Sequence, residues 1–348
     1  MKKMAITLLL CAALFGGCKS NENKTETKMD KSISFEDGAV TEYGTILPAA
    51  REIRVKADTS SSIVVDWRED EVVHVEKMSA KEEVFVYKKS VSTDGKEKGE
   101  SLLLKMDLMY SGKEGSKTPV ILFIPGGGFI GCDCEGSLRE ERKWLSEKGF
   151  AVASIEYHVV GNGFYYDALD DIKDALSFLE ENASKYNIDP CRLALMGNSA
   201  GGYFTALAAT KGIAKIKAAV DLYGLSDLMK IGSDFDDECQ KIHLSPKSSE
   251  SQYVSGVFSK KTIGDDKEKT LDANPLTHVS AECCPFLLFH GDADNLVSPS
   301  QTLLLHNALL ASGVESTRYS LVGAGHGTNG FNSKSAMNAI EEFLKAHL

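Results

Sequence analysis

The sequence predicts an α/β fold in which helices cover both faces of a mostly parallel central sheet. From about residue 118 to the C-terminus, short apolar runs alternate with stretches whose apolar residues recur at helical spacing. Several runs, such as PVILFI (119–124) and PFLLF (285–289), are apolar throughout, as expected for strands buried on both faces. Repeated strand–helix alternation is typical of parallel sheets covered by helices. The 348 residues are enough for one large domain of this type or two small ones.

Each element of this alternation has its own signal. The stretch SLREERKWLSEKG (137–149) ends at a glycine, as helices often do, and 167–186 places leucine and isoleucine residues on one helical face. A helix over 298–313 is expected to begin with Ser298 as its N-cap and Pro299 in its first turn. The other predicted elements are strands at 150–155, 192–196, 216–223 and 317–321 and helices at 200–212 and 335–348.

The N-terminus has the pattern of a segment that directs export. Two lysines precede an apolar run that is too short for a membrane span, so residues 1–17 are predicted to be a signal peptide. The small residues before Cys18 resemble a bacterial lipobox, which implies lipidation of Cys18; a secreted form without lipid is the alternative. We therefore expect an exported lipoprotein, facing the periplasm or the cell surface, with residues 18–32 as a polar tether.

The charge of the chain excludes several kinds of partner. Removal of Lys2 and Lys3 with the signal peptide changes the formal net charge from −11 to −13. Such a surface suits neither nucleic acid nor anionic lipid headgroups. We expect no nucleic-acid partner, and membrane contact only through the lipid anchor.

The region between the tether and the α/β domain is expected to be rich in strands. Residues 33–80 contain the alternating runs EIRVKA, SIVVDW and EVVHVEK, which predict a short β-rich lead-in. Two further runs flank TDGKEKG (93–99), which indicates a hairpin. The α/β domain is predicted to span 81–348, with a polar insertion over about 225–282 that forms a small cap.

One serine lies in a motif that carries chemistry. GNSAG (197–201) fits G-x-S-x-G between a predicted strand and a predicted helix, the context in which the motif marks a nucleophile. A serine on this sharp turn projects its hydroxyl above the sheet, and the helix N-terminus favours negative charge nearby. Ser199 is therefore the candidate nucleophile. The alternative is a glycine-rich turn with an incidental serine.

Candidates for the acid and the base follow later in the chain, in the order that such folds use. Asp292 and Asp294 come just after a buried strand, and His326 lies in a glycine-lined loop after the last predicted strand. His326 is the base by position. His290 ends a strand directly, so we expect a structural role for it.

The glycine-rich loop ILFIPGGGFIG (121–131) has two interpretations. Gly126, Gly128 and Gly131 fit the G-x-G-x-x-G spacing of a dinucleotide-binding loop. A triple glycine after a strand also forms the oxyanion hole of acyl-transfer enzymes. CDCEG intervenes where a nucleotide-binding helix should begin, and a nucleotide site leaves the serine, acid and histidine unexplained. The pattern therefore favours the oxyanion hole.

The segments PGGGF, GNSAGG, NPLTHVSAECCPFLLFHGDADNLVSPSQ and GAGHG resemble the bacterial esterase branch of the α/β-hydrolases. That branch is similar to hormone-sensitive lipase and to carbohydrate acetyl and feruloyl esterases (BD-FAE-like), and the resemblance spans about residues 80–348. It implies an α/β-hydrolase fold and a serine esterase that needs no cofactor. It also implies Asp294 as the acid, with Asp292 as second choice, and the backbone N–H groups of Gly127, Gly128 and Ala200 as oxyanion donors.

This chain departs from the family at two positions in these motifs. Pro125 stands where the family usually has a histidine before the three glycines, and proline offers no side-chain hydrogen bond to brace the loop. Asn198 replaces the commoner acidic residue beside the nucleophile.

The expected substrate is a small ester or an acylated polysaccharide with a short, acetyl-type acyl group. The polar cap lacks the large apolar lid that a long-chain lipase usually presents. Tyr165 and Tyr166 are candidates for lining a sugar site; alternatively they pack under the following helix. A serine exopeptidase of the same fold and a non-catalytic binding module are the alternative functions. We expect no metal site, because the C-x-C and C-C cysteine spacings do not fit structural zinc.

Overall fold

The computed structural model describes residues 39–40, 42–47 and 53–348. The predicted signal peptide, the tether with Cys18 and the start of the lead-in lie outside the described residues. The strands of the described part are β1 (Ala39–Val40), β2 (Ile46–Leu47), β3 (Ile63–Val65), β4 (Lys81–Val91), β5 (Ser101–Tyr110), β6 (Thr118–Ile124), β7 (Ala151–Ile155), β8 (Ile188–Asn198), β9 (Ala218–Leu222), β10 (Phe286–Gly291) and β11 (Ser316–Leu321). Its α-helices are α1 (Arg139–Glu147), α2 (Tyr165–Glu181), α3 (Ala183–Tyr186), α4 (Ala200–Thr210), α5 (Asp237–His243), α6 (Ser249–Ser255), α7 (Lys267–Ala273), α8 (Ser300–Ala311) and α9 (Lys334–His347).

Nine of these strands form one sheet, in the order β3-β11-β10-β9-β8-β6-β7-β5-β4. β5 pairs antiparallel with both β4 and β7, and all other neighbours in this sheet are parallel. The central strands β7, β9 and β10 are buried along their whole length, which explains why most of their residues are apolar. The predicted α/β-hydrolase fold is confirmed.

Helices cover both faces of this sheet. On one face, Leu169 and Ile172 of α2 and Phe204 of α4 belong to the largest apolar cluster. On the other face, Leu145 of α1 and Ile340 of α9 pack against side chains that point the opposite way from the same strands. α8 packs beside α4 over β10. Alternate residues of the buried strands therefore contribute to two separate cores.

The predicted hairpin is confirmed as β4 and β5, whereas two of the three lead-in runs are not strands: the described part of EIRVKA (53–57) contains no strand. Of the runs predicted as strands, SIVVDW gives β3, which joins the edge of the large sheet beside β11. EVVHVEK is not a strand: Val72 makes one isolated bridge with Ser333, and Val73 N–H bonds to Asn332 O. This run lies across the C-terminal part of the chain, so no sheet edge is available to extend the pairing.

The insertion between β9 and β10 carries α5, α6, α7 and two short 3₁₀ segments. Of its three aromatic residues, Phe235 and Tyr253 are buried and Phe258 is exposed. α5 and α6 each begin after a capping side chain, since Asp236 accepts from the N–H of Cys239 and Ser248 accepts from that of Ser251. Within the described ranges, no helix combines the length and the apolar character that a membrane crossing needs.

Candidate active site

Ser199 lies on the sharp turn between β8, a central strand, and α4. Its backbone has φ 54° and ψ −121°. Residues other than glycine rarely adopt this conformation, and folded proteins retain it mainly at functional sites. The turn brings α4 close to the end of β6: a Cβ on Gly201 would lie 1.8 Å from the carbonyl oxygen of Ile124. Glycine is therefore required at this position, and the nucleophile candidate is held rigidly next to the loop that follows β6.

The structure brings Ser199, His326 and Asp294 together in one hydrogen-bonded chain. The Nε2 atom of His326 is 2.9 Å from Ser199 Oγ, and its Nδ1 atom is 2.8 Å from Asp294 Oδ2. Asp294 follows β10 and His326 follows β11, so both reach Ser199 from the carboxyl edge of the sheet. All three side chains are almost fully buried. This is the arrangement that lets a histidine take the proton of a serine hydroxyl.

Asp294 is held by four donors. Its Oδ1 accepts from the N–H groups of Leu296 and Val297, and its Oδ2 from His326 and from Nε2 of His290 at 3.1 Å. Burial raises the pKa of Asp294, but His326 and His290 outweigh it and hold this pKa well below its usual value. The acid is therefore an ionised carboxylate that keeps His326 oriented.

Asp292, the second-choice acid, lies elsewhere. It accepts the N–H of Gly323 and makes no hydrogen bond to His326 among the described residues.

His290 has the structural role that its place in the strand indicates. Its Nε2 faces two acceptors, Asp294 and the Val297 carbonyl, so this nitrogen carries the proton. Burial lowers the pKa of His290, which keeps its ring neutral.

The loop after β6 carries Gly127 and Gly128, two of the three predicted oxyanion donors. Gly127 and Gly128 have φ 155° and 60°, and in the described part of the chain neither donates its N–H to another group. Ala200 is the first residue of α4, where helix N–H groups have no partner in the helix. Within the described residues the three predicted donors thus have free N–H groups, and Gly128 and Ala200 line one cavity together with Ser199.

Pro125 and Asn198, the two departures from the family pattern, lie in one network that braces this loop. The hydroxyl of Tyr157 donates to the Pro125 carbonyl at 2.6 Å. The side-chain oxygen of Asn198 accepts the N–H of Gly126 at 3.0 Å, and its amide nitrogen donates to the Tyr223 hydroxyl at 3.3 Å. Asn198 and Tyr157 therefore hold the loop where the family's histidine is absent. Sequence analysis marked Asn198 as unusual but did not identify this contact.

A small cavity of about 50 Å³ opens beside Ser199, between the oxyanion loop and the cap. Ser199, Gly128 and Ala200 form one side. The apolar part of its wall consists of Phe129, Leu225, Ile231, Leu296 and Val297. Such a volume accepts a few water molecules or a short acyl group.

The cap contributes a buried charged pair to the same cavity. His243 of α5 and Glu250 of α6 line the cavity, with 3.0 Å between Nδ1 and Oε1. Burial lowers the pKa of His243, but the Glu250 carboxylate and the Cys239 thiol outweigh it and raise the pKa to about 10. Burial likewise raises the pKa of Glu250, yet His243 brings it below its ordinary value. Sequence analysis missed this pair, because its two members lie in a polar segment without a recognisable motif.

Tyr165 and Tyr166 do not line this cavity. Tyr165 is buried in the core and donates its hydroxyl to Asp272 at 2.8 Å, while Tyr166 is partly exposed and stacks on Phe164. Tyr165, the first residue of α2, is thus packed in the core, which agrees with the alternative to a sugar site.

The six cysteines of the described residues are unpaired. No three His, Cys, Asp or Glu side chains of the described ranges cluster closely enough to hold a metal ion.

Comparisons with known proteins show which proteins this chain is similar to. The BD-FAE family model matches residues 106–309. Two relatives from Mycobacterium tuberculosis are similar: the probable carboxylic ester hydrolase LipM is 28% identical over 53% of this chain and 43% of its own length. The esterase LipC is 26% identical over 65% of this chain and 58% of its own length. The chain thus spans about half the length of the curated relatives that it matches.

A solved structure described as a truncated form of carbohydrate esterase from gut microbiota superposes with a TM-score of 0.65. It is 20% identical, and the match covers 79% of this chain and 98% of that one. At this identity the similarity establishes the shared fold.

The network around Asn198 predicts how the oxyanion loop responds to substitution. Asn198→Ala removes the acceptor for Gly126 N–H and should slow the labelling of Ser199 by a fluorophosphonate about tenfold, because displaced donors stabilise the developing charge less well. Asn198→Asp retains an acceptor and should recover most of the rate. Ser335→Ala, which changes an exposed serine of α9, is the control. Equal labelling rates for Asn198→Ala and wild type would show that the loop is held without Asn198.

The His243–Glu250 pair predicts a dependence of stability on pH. The raised pKa of His243 adds stability that is fully present below about pH 6.5 and is lost as pH rises through about 10. The lowered pKa of Glu250 adds stability that is present above about pH 4.5 and is lost at lower pH. The groups that act on the ring are Glu250 and the Cys239 thiol.

Between about pH 7 and pH 10, the free energy of unfolding should therefore fall more steeply in wild type than in His243→Phe/Glu250→Leu. Urea titrations at several pH values measure both slopes. Lys241→Ala, exposed on the same helix, should keep the wild-type slope. Equal slopes in wild type and the double variant would contradict the assigned charges.

Proposed function

Because the chain belongs to the BD-FAE family, we propose that it is a serine carboxylic-ester hydrolase that works through an acyl-enzyme. The observation that carries the proposal is the hydrogen-bonded chain from Ser199 through His326 to Asp294, next to the free N–H groups of the oxyanion loop. This combination supplies a nucleophile, a base, an orienting acid and charge stabilisation in one place.

In the first half-reaction, His326 Nε2 takes the Ser199 proton as Oγ attacks the ester carbonyl. Asp294 keeps the proton on Nδ1 and stabilises the imidazolium that forms. The tetrahedral oxyanion is held by the N–H groups of Gly127, Gly128 and Ala200, and loss of one such donor typically lowers kcat by about 10²–10³. The imidazolium then protonates the leaving alcohol, and the acyl group remains on Ser199.

In the second half-reaction, water replaces the alcohol. His326 takes a proton from the water as its oxygen attacks the acyl-enzyme, and the same oxyanion donors act again. Collapse of the intermediate returns the proton to Ser199 and releases the acid. Every step uses groups of this chain and water.

The proposed substrate carries a short acyl group of the acetyl type, on a carbohydrate or another small alcohol. The small volume of about 50 Å³ beside Ser199 favours a short acyl group over a long one. The apolar side chains that line most of its wall favour burial of an acyl methyl group.

Ser199→Ala should abolish both fluorophosphonate labelling and hydrolysis of p-nitrophenyl acetate, since no other group replaces the nucleophile. Wild type should hydrolyse the acetate with a higher kcat/KM than the octanoate, by about tenfold or more, because a well-packed site tolerates added methylenes poorly. Spectrophotometric assays of wild type, Ser199→Ala and the control Ser335→Ala measure these rates. A folded wild type without labelling would indicate a binding module, and cleavage of peptides in preference to esters an exopeptidase.

We further propose that the protein is exported and lipidated on Cys18 after removal of residues 1–17. Expressed in a bacterium, wild type should enter the detergent phase of a Triton X-114 extraction, and Cys18→Ser should remain in the aqueous phase because the acyl chains are missing. Cys191→Ser, which changes an exposed cysteine of the folded domain, should behave as wild type. Wild type in the aqueous phase with a processed N-terminus would instead identify a secreted form.

A further inference from the structure

The His243–Glu250 pair in the cavity wall is incompletely satisfied. Nδ1 and Oε1 bond to each other, but within the described residues His243 Nε2 and Glu250 Oε2 have no hydrogen-bond partner. Both side chains are at least nine-tenths buried, with 4% and 5% exposed. Buried polar atoms nearly always have partners, so two orphaned atoms in a substrate cavity indicate groups that a ligand completes.

The two free atoms define the chemistry of that ligand. With its ring protonated, His243 Nε2 is a donor, and the carboxylate oxygen Oε2 of Glu250 is an acceptor. The pair has one positive and one negative charge, so it has no net charge with which to favour an anion or a cation. A hydroxyl group both accepts and donates a hydrogen bond, and it therefore matches the two atoms together.

The rest of the wall explains how such a group would be selected. Apart from this pair and the hydroxyl groups of Ser199 and Ser249, the side chains that line the cavity are apolar and offer no competing hydrogen bond. In a cavity of this kind a few polar groups fix the orientation of the ligand. Because Ser199 lines the same small space, a hydroxyl bound by the pair belongs to the ester that Ser199 attacks.

We propose that His243 and Glu250 form a hydroxyl-binding subsite that gives the enzyme a preference for esters with a free hydroxyl group close to the scissile bond. A partly acylated sugar has this feature in its alcohol part, and a hydroxy acid ester has it in its acyl part. The proposal rests on the proposed ester hydrolysis at Ser199, and it makes His243 and Glu250 specificity-determining residues.

Two matched pairs of substrates test the preference and locate the hydroxyl. Trans-2-hydroxycyclohexyl acetate against cyclohexyl acetate adds a hydroxyl to the alcohol part. Methyl 3-hydroxybutyrate against methyl butyrate adds one to the acyl part. A pH-stat gives kcat/KM for each ester. Wild type should prefer the hydroxylated member of at least one pair by about 10–100-fold, the range expected for a hydrogen bond to a charged group.

Variants then assign the preference to this pair of residues. The ratio within the preferred substrate pair should fall close to one in His243→Phe/Glu250→Leu, which removes both charges together and leaves neither unpaired. Glu250→Gln keeps the shape of the side chain and should lower the ratio by several-fold. Lys241→Ala, exposed on α5, should keep the wild-type ratio. Because the preference is a ratio of two kcat/KM values, a general loss of activity does not change it. If the double variant does not fold, Glu250→Gln alone tests whether the pair causes the preference.

The outcomes separate this inference from the function on which it rests. If wild type hydrolyses all four esters in a Ser199-dependent manner with ratios near one, the subsite is disproved and the esterase proposal stands. A strong preference that persists in the double variant and in Glu250→Gln would place the hydroxyl contact on other residues. If no ester is hydrolysed in a Ser199-dependent manner, both proposals fail.

Discussion

The fully buried carboxylate of Asp294 is the interaction on which the rest of the site depends. It bonds to His326, which follows β11, to His290 of β10, and to the backbone N–H groups of Leu296 and Val297 in the segment after β10. An isolated buried carboxylate is strongly unfavourable, and these partners together offset that cost for Asp294. The same carboxylate orients the base and fixes the backbone of Leu296 and Val297, whose side chains line the cavity. Catalytic geometry and cavity shape are therefore coupled through one group.

A second constraint joins the nucleophile to the oxyanion loop. The contact of Gly201 with Ile124 sets the distance between α4 and the end of β6, and Asn198 ties the loop to the residue next to Ser199. Tyr223 extends this network, because its hydroxyl accepts from Asn198 and its ring packs against that of His326, with centroids 4.9 Å apart. Asn198 and Tyr223 thus connect the loop after β6 to the turn at Ser199 and to the ring of His326. This arrangement explains how a proline is tolerated where relatives usually have a histidine.

The parts of the fold that sequence predicted correctly are those with local signals. Buried strands such as β6 and β10 appear as apolar runs, and the order of Ser199, Asp294 and His326 follows from the loops after successive strands. The parts that it missed depend on contacts between distant residues. Asn198 reaches a backbone group 72 positions away, and nothing local distinguishes this role. EVVHVEK has the alternation of a strand but lacks a continuous sheet edge to pair with, which only the packed structure reveals.

The polar composition of the cap suggests a solvated segment, but part of it is buried in the folded protein. The polar run from Ser248 to Gln252 looks solvated, yet all five residues are buried. The lead-in contributes to covering them: Ile46 N–H bonds to the Lys247 carbonyl at 2.8 Å, and the Thr45 hydroxyl donates to Gln252 at 2.5 Å.

Glu250 lies between these anchored positions and faces His243 from the first turn of α6. Its place in the cavity wall is therefore fixed by the N-terminal lead-in as well as by the cap itself. Ser248, Ser251 and Gln252 beside the pair have side-chain partners of their own, so they do not satisfy the free atoms of His243 and Glu250, which remain available to a substrate.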